Sequence, residues 1–207
     1  MKYLWLLILF LIPLKVYGTS SYIVMDADSK RVIEGANTQE KKLIASTTKI
    51  MTALIALENG VLDEKIKVDK DVLKAYGSNI YIEIDEEITL RDLLYGLLLR
   101  SGNDAAIEIA NFIAGSMDEF VKMMNDKAKN LGMENTTFIN SSGLENDEKL
   151  GNTSTAYDMA LLMSYAIDNK TFVEISGTKR HIATTNYKTY DWYNKNKLLT
   201  SYKYTIA

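Results

Sequence analysis

Few residues in this chain have the chemistry for catalysis, and their types exclude most hydrolytic strategies. His181 is the only histidine and cysteine is absent, so a Cys nucleophile, disulfides and the usual zinc sites are ruled out. No G-x-S-x-G elbow occurs, which leaves a Ser-His-Asp hydrolase little to build on. Neither G-x-x-x-x-G-K-[ST] nor G-x-G-x-x-G is present, so phosphate-cradling loops have no support. A hydrolase with a covalent nucleophile would need Lys, Asp, Glu or Tyr as its base.

Ser46-Thr47-Thr48-Lys49 fits the lysine option. At the first turn of a helix, residues three apart share a face, so the Lys49 amine can point at the Ser46 hydroxyl. The positive end of the helix dipole and burial between lobes would both depress the lysine pKa. A neutral amine could then take the serine proton. The free N–H groups of a helix start also offer a donor to a developing oxyanion. The plain alternative is an N-capping serine followed by an exposed lysine. A second S-x-x-K, Ser176 to Lys179, contains Gly177 and begins no helical pattern; it reads as accidental. A further candidate is Ser101-Gly102-Asn103, ordinary turn residues that follow the apolar run Leu93 to Leu99 and precede Asp104-Ala105-Ala106. A polar turn held between two buried helices suits a functional hydroxyl and amide.

The elements that must position these residues are legible in outline. Ser21 to Asp26 and Arg31 to Ala36 alternate around Ala27-Asp28-Ser29-Lys30 and predict a β-hairpin. Ser46 to Glu58 predicts an amphipathic helix with Ile50, Leu54, Ile55 and Leu57 buried, Ser46 as its cap and Gly60 at its end. Further helices are expected over Leu90 to Arg100, started by Thr89 with Asp92 in the capping-box place, then Asp104 to Ala114, Met117 to Leu131 and Thr155 to Asp168. From Thr171 onward, alternating Thr, Tyr and Val predict strands. The order predicts an α+β fold, a sheet with a helical block inserted as a second lobe.

The 207 residues suit one domain, and 47% hydrophobic with 25% charged residues is ordinary for a globular chain. A net charge of −3 without basic runs gives no reason to expect nucleic acid as a partner. Residues 1–18 differ in kind: Lys2, an apolar run from Tyr3 to Leu14, then Val16-Tyr17-Gly18. The pattern predicts a signal peptide cleaved after Gly18, since the run is shorter than the ~20 residues a membrane span needs. The expected location is extracytoplasmic.

Several segments together resemble the D-alanyl-D-alanine carboxypeptidases among the low-molecular-mass penicillin-binding proteins, serine peptidases with S-x-x-K, S-x-N and K-T-G motifs. Ala45 to Ala53 is similar to the family's active-site helix, and Leu99 to Ala106 to its second motif. Asn140 to Leu144, Ser154 to Ala160 and Asn194 to Leu199 resemble further family segments, in the family's order. The resemblance implies a β-lactamase/DD-peptidase-like sheet with an inserted helical lobe. It implies Ser46 as acylated nucleophile, Lys49 as general base, Ser101 as proton relay and Asn103 as a substrate-backbone contact. Peptidoglycan stem peptides would be the substrates, β-lactams the inhibitors, and no metal or organic cofactor would be needed.

One departure stands out. No K-T-G, K-S-G or H-T-G occurs; Lys170-Thr171-Phe172 and Lys188-Thr189-Tyr190 lack the glycine. In the family this motif walls the cleft, binds the substrate carboxylate and supplies a second oxyanion N–H, a donor worth about 2.7–4 kcal/mol. The expectation is an incomplete catalytic domain over 19–207, truncated before the third-motif strand and any C-terminal membrane anchor, with little activity of its own and an exposed apolar face on its first hairpin. The competing readings are a class A-like β-lactamase, which would need a deacylating Glu such as Glu145 or Glu148 beside the nucleophile, and a non-catalytic peptidoglycan-binding remnant.

Overall fold

The computed structural model describes residues 20–146 and 148–202; the expected signal peptide lies outside them. Four helices in the first two thirds of the chain make the core: α1 (Lys49–Asn59), α2 (Leu90–Arg100), α3 (Asn103–Ala114) and α4 (Met117–Asn130). Helix α1 sits at the centre. All six residues from Met51 to Ala56 are buried, so it is covered nearly all round, where the sequence predicted a one-sided amphipathic helix. Its small residues Thr52, Ala53 and Ala56 let neighbours approach on the faces that Leu54 and Ile55 do not fill. Ile50 and Leu57, expected in the buried face, are only partly covered.

Helix α2 has the predicted bounds, and its cap is the predicted one: the Asp92 N–H donates to Thr89 Oγ1 at 3.0 Å while that hydroxyl donates to Asp92 Oδ2 at 2.7 Å. Leu90, Leu93, Leu94, Leu97 and Leu99 are fully buried. Gly96 is required by close approach, since a Cβ there would lie 2.5 Å from Ile80 Cδ1. The loop carrying Ile80 is thereby laid against α2, next to Ser101.

The start of α1 differs from expectation. Ala45–Thr48 forms a 3₁₀ turn and the α-helix begins at Lys49. Ser46 therefore caps nothing; the stabilising side-chain bond of this turn runs from Thr47 Oγ1 to Ile44 O at 2.6 Å. The tighter turn has a consequence for chemistry, because side chains at i and i+3 of a 3₁₀ turn eclipse each other.

Helix α5 (Ala156–Ala166) follows a Thr155 cap, and α6 (Lys170–Gly177) comes next. The sequence predicted strand from Thr171. Asn169 overrides that propensity: its Oδ1 accepts the Phe172 N–H at 3.0 Å, and Phe172 and Ile175, three apart, are both buried. A short helix, α7 (Leu198–Ser201), follows the last strand.

The strands pair as four antiparallel ribbons: β1 (Tyr22–Met25) with β2 (Val32–Ala36), β3 (Lys42–Leu43) with β6 (Thr153–Ser154), β4 (Lys65–Lys67) with β5 (Glu87–Thr89), and β7 (Arg180–Thr184) with β8 (Thr189–Tyr193). The predicted order of strands, helices and strands holds, and no sheet wider than two strands forms among the described residues. The β1–β2 hairpin leaves Tyr22, Val24, Val32 and Ile33 exposed, on both of its faces, where the sequence leads one to expect a single exposed apolar face.

Candidate active site

The eclipsed turn places Lys49 under Ser46. The lysine amine lies 3.3 Å from Ser46 Oγ and donates to Asn103 Oδ1 and to the Ser142 carbonyl, each at 2.7 Å. Lys49 is 3% exposed, while Ser46 stands open to solvent. The arrangement has a stereochemical reading. A neutral amine has two N–H bonds and one lone pair, and two of its three neighbours here are carbonyl oxygens that can only accept. The lone pair is therefore left facing Ser46, whose hydroxyl can donate.

Burial pulls the Lys49 amine down to a pKa of about 8, helped by the like charge of Lys195 and opposed by the carboxylate of Asp104. Asp104 acts weakly because its charge is already engaged. Its two oxygens accept the backbone N–H groups of Ile80, Tyr81, Ile82 and Ala105 at 2.6–3.3 Å, which pins the Ile80 loop to the first turn of α3.

Asn103 opens α3 at the junction predicted from Ser101-Gly102-Asn103. Its Nδ2 donates to Tyr76 O at 2.6 Å and its Oδ1 is held by Lys49, so one Nδ2 hydrogen is left for another acceptor. Ser101 is in the left-handed region at φ 62°, ending α2, and its hydroxyl has no hydrogen-bond partner among the described residues. Ser46, Lys49 and Asn103 are joined by hydrogen bonds, and Ser101 stays outside that network.

A further side of the site comes from a segment that the sequence marks only by its resemblance to a family segment. Asn140, Ser141, Ser142 and Gly143 form a loop pinned to α1 and α3: Thr52 Oγ1 donates to Ser141 O at 2.7 Å, and Ser141 Oγ to Ala106 O at 2.8 Å. Asn152, 1% exposed, ties the loop to the Ala45–Thr48 turn by donating to Thr48 Oγ1 and Asn140 O, both at 2.9 Å. Gly143, at φ +83°, abuts the carbonyl of Ala45; a Cβ there would lie 1.8 Å from that oxygen. Ala45 itself is left-handed at φ 43°, a conformation that costs a non-glycine residue about 1–2 kcal/mol. The backbone immediately before Ser46 is thus held in a strained shape by the loop pressed against it. The Ser46 N–H has no acceptor among the described residues and is free to serve an oxyanion. Beside that resemblance the sequence offers only the turn-rich Asn-Ser-Ser-Gly run, whose contacts with Ala45 and Lys49 no local rule reveals.

His181 lies apart from this cluster. It hydrogen-bonds Asp92 Oδ1 at 2.6 Å and stacks on Tyr95 with ring centroids 3.6 Å apart, fastening β7 to α2. Neither Glu145 nor Glu148 hydrogen-bonds with Ser46 or Lys49.

This geometry meets independent comparisons. The family model described as D-alanyl-D-alanine carboxypeptidase, peptidase S11, matches residues 15–207. The D-alanyl-D-alanine carboxypeptidase DacF of Bacillus subtilis is 36% identical over 192 residues, covering 90% of this chain and 49% of that protein. The D-alanyl-D-alanine endopeptidase of Escherichia coli is 33% identical over 84% of this chain and 55% of its own length. This chain therefore spans about half the length of the curated relatives it matches. Among solved structures, a D-alanyl-D-alanine carboxypeptidase from Mycobacterium tuberculosis superposes with a TM-score of 0.85 at 32% identity, over 90% of this chain and 70% of that one. Penicillin binding protein 6B from Escherichia coli gives 0.77 at 29% identity, over 91% and 62%. With the fold, the match over nearly the whole chain and these relatives in agreement, the chain belongs to the peptidase S11 family of D-alanyl-D-alanine carboxypeptidases.

Proposed function

We propose that this chain carries the nucleophile and the base of a serine-type D-Ala-D-Ala carboxypeptidase. Ser46 Oγ attacks the carbonyl carbon of the terminal peptide bond in a peptidoglycan stem peptide as its proton passes to Lys49 Nζ. The oxyanion meets the Ser46 N–H, and the departing D-alanine amine receives a proton by way of Ser101. Water then cleaves the acyl ester and restores Ser46. Asn103 holds Lys49 with its oxygen and presents its remaining N–H to the substrate backbone. β-Lactams, with an amide in the same position, acylate Ser46 as well. No metal or organic cofactor enters these steps.

The observation that carries this reading is the place of the Lys49 amine, 3.3 Å from Ser46 Oγ and held by two carbonyl oxygens, of Asn103 and Ser142, that can only accept, so that its neutral form has its lone pair for Ser46. With it belong a secretory signal over residues 1–18, a catalytic domain over 19–207 and action on the outer side of the cytoplasmic membrane, where peptidoglycan is met. The reading also holds that K-T-G completes the cleft, so turnover by these 207 residues falls far below that of a chain supplying the motif. The test is labelling with fluorescent penicillin of the 207-residue chain, of a longer chain carrying K-T-G, and of each with Ser46→Ala. Labelling of the longer chain that disappears with Ser46→Ala is the expected result. Label surviving Ser46→Ala would remove the nucleophile assignment, and normal turnover by the short chain would remove the role given to K-T-G.

A further inference from the structure

The base in this site needs a means of shedding its proton, and the turn after β8 holds a charge suited to that. Asn194 anchors the turn by donating to Ser176 O and Thr178 O at 2.8 and 2.9 Å. The Lys195 N–H then donates to Leu99 O at 3.1 Å, fixing this residue against the last turn of α2, two residues before Ser101. Arg100 strengthens the junction through Nη1 to Tyr193 O at 3.1 Å. From there the Lys195 side chain reaches Ser78 Oγ at 3.4 Å. Ser78 is itself part of the site frame, its carbonyl accepting the Asn103 N–H at 2.8 Å. An ammonium is thus held at the rim by a backbone tied to α2, and no carboxylate pairs with it among the described residues.

We propose that Lys195 is a positioning residue of this site, a cation without a carboxylate partner among the described residues, held at the rim by the Leu99 and Ser78 contacts, that adds to burial in disfavouring the ammonium form of Lys49. Two charged groups act on Lys49 across its neighbours, Asp104 from α3 and Lys195 from the turn after β8, and they pull in opposite directions. Asp104 spreads its charge over four backbone N–H groups, which blunts its pull toward the ammonium form. Among the described residues the Lys195 ammonium makes only a long contact with a neutral hydroxyl, so its field is not cancelled by them. The proposal rests on the assignment of Lys49 as the base only for its catalytic consequence; the charge coupling is measurable without any turnover.

The experiment is a ¹³Cε-lysine NMR titration of the 207-residue chain, with the Lys49 resonance assigned from Lys49→Met. Lys195→Gln should raise the Lys49 midpoint by roughly half a unit or more, Lys195→Glu should raise it further, and Lys195→Arg should leave it in place. Lys197→Gln, two residues along the same exposed turn, should not move it. An unchanged midpoint in both Lys195→Gln and Lys195→Glu would overturn the proposal, and so would an equal shift from Lys197→Gln. Lys195 is exposed, so a urea midpoint unchanged by substitution confirms that the fold is intact. In a chain that acylates, the acid limb of the pH–rate profile should move upward with Lys195→Gln. If the NMR midpoint moves and that limb does not, the coupling stands and Lys49 is not the base.

Discussion

The cleft wall and the first hairpin of this chain are built on opposite plans. Around Lys49, the buried polar groups are joined to one another, and the loop bearing Ser142 is bonded to α1, α3 and the strand segment at Asn152. In β1 and β2 the backbone pairs in regular register from Tyr22↔Ala36 to Val24↔Glu34, yet much of the apolar surface the strands carry faces solvent. The hairpin is specified by local rules and gains little from burial. The wall is specified by long-range fit, so one added methyl group there should matter more than a large change in the hairpin.

The sharpest way to break the contrast is Gly143→Ala. The new Cβ meets the Ala45 carbonyl and, 2.8 Å away, Thr48 Oγ1, at a φ that an L-residue resists. We expect a loss of roughly 2–5 kcal/mol in urea unfolding from overpacking and backbone strain together. A loss under about 0.5 kcal/mol would mean that the loop moves aside and the wall is not rigid.

A medium effect should come from pH, and it belongs to the helical core alone. Burial lifts the Glu108 carboxyl from 4.5 to about 7, against the Asp69 N–H that donates to it. The folded state then binds this proton more tightly than the unfolded chain does, so stability falls as pH rises from about 4.5 to about 7. Lys49 works the other way. Its folded pKa of about 8 lies below the ordinary 10.5, the unfolded chain holds more protons in that interval, and stability rises with pH across it. The two contributions have their smallest sum between about pH 7 and about pH 8. Urea midpoints measured across this range should show the dip, Glu108→Gln should flatten its acid side, and Lys49→Met its alkaline side. A midpoint that climbs steadily through pH 7 in the parent chain and in Glu108→Gln alike would contradict the assignment.

The smallest effect is expected in the hairpin. Ile33 is 62% exposed, so Ile33→Ser should change stability by no more than about 0.5 kcal/mol. A loss above about 2 kcal/mol would show that this face is covered in solution and that the contrast between the two regions is false.

The same division explains what could be read in the sequence. Helix α2 was legible to the residue because Thr89 and Asp92 satisfy each other within one turn. The pairing of Ser46 with Lys49 was legible because it depends on a spacing of three, although the turn proved 3₁₀ where an α-helix was expected. Helix α6 was misread because Thr171, Val173 and Ile175 favour strands, and the Asn169 cap that decides the matter is a single residue. The contacts of Ser142 and Gly143 and the proposed role of Lys195 are not legible in the sequence, since each depends on a backbone group or a field from a segment far along the chain. Asn140 to Leu144 and Asn194 to Leu199 stood out only through their resemblance to family segments.

The three neighbours of the Lys49 amine lie 3, 54 and 93 residues away in sequence. The first is present as soon as the turn forms; the other two arrive only when the chain has closed long loops. Until then the amine is an ordinary hydrated ammonium and Ser46 an ordinary alcohol. Reactivity is in this sense assembled last, and an unfolded or half-folded chain is chemically silent toward acylating agents. If Ser46 is the proposed nucleophile, covalent labelling of it in a chain that acylates would count folded molecules, and the rate at which label accumulates during refolding would time the closure of the Ser142 loop over the first turn of α1.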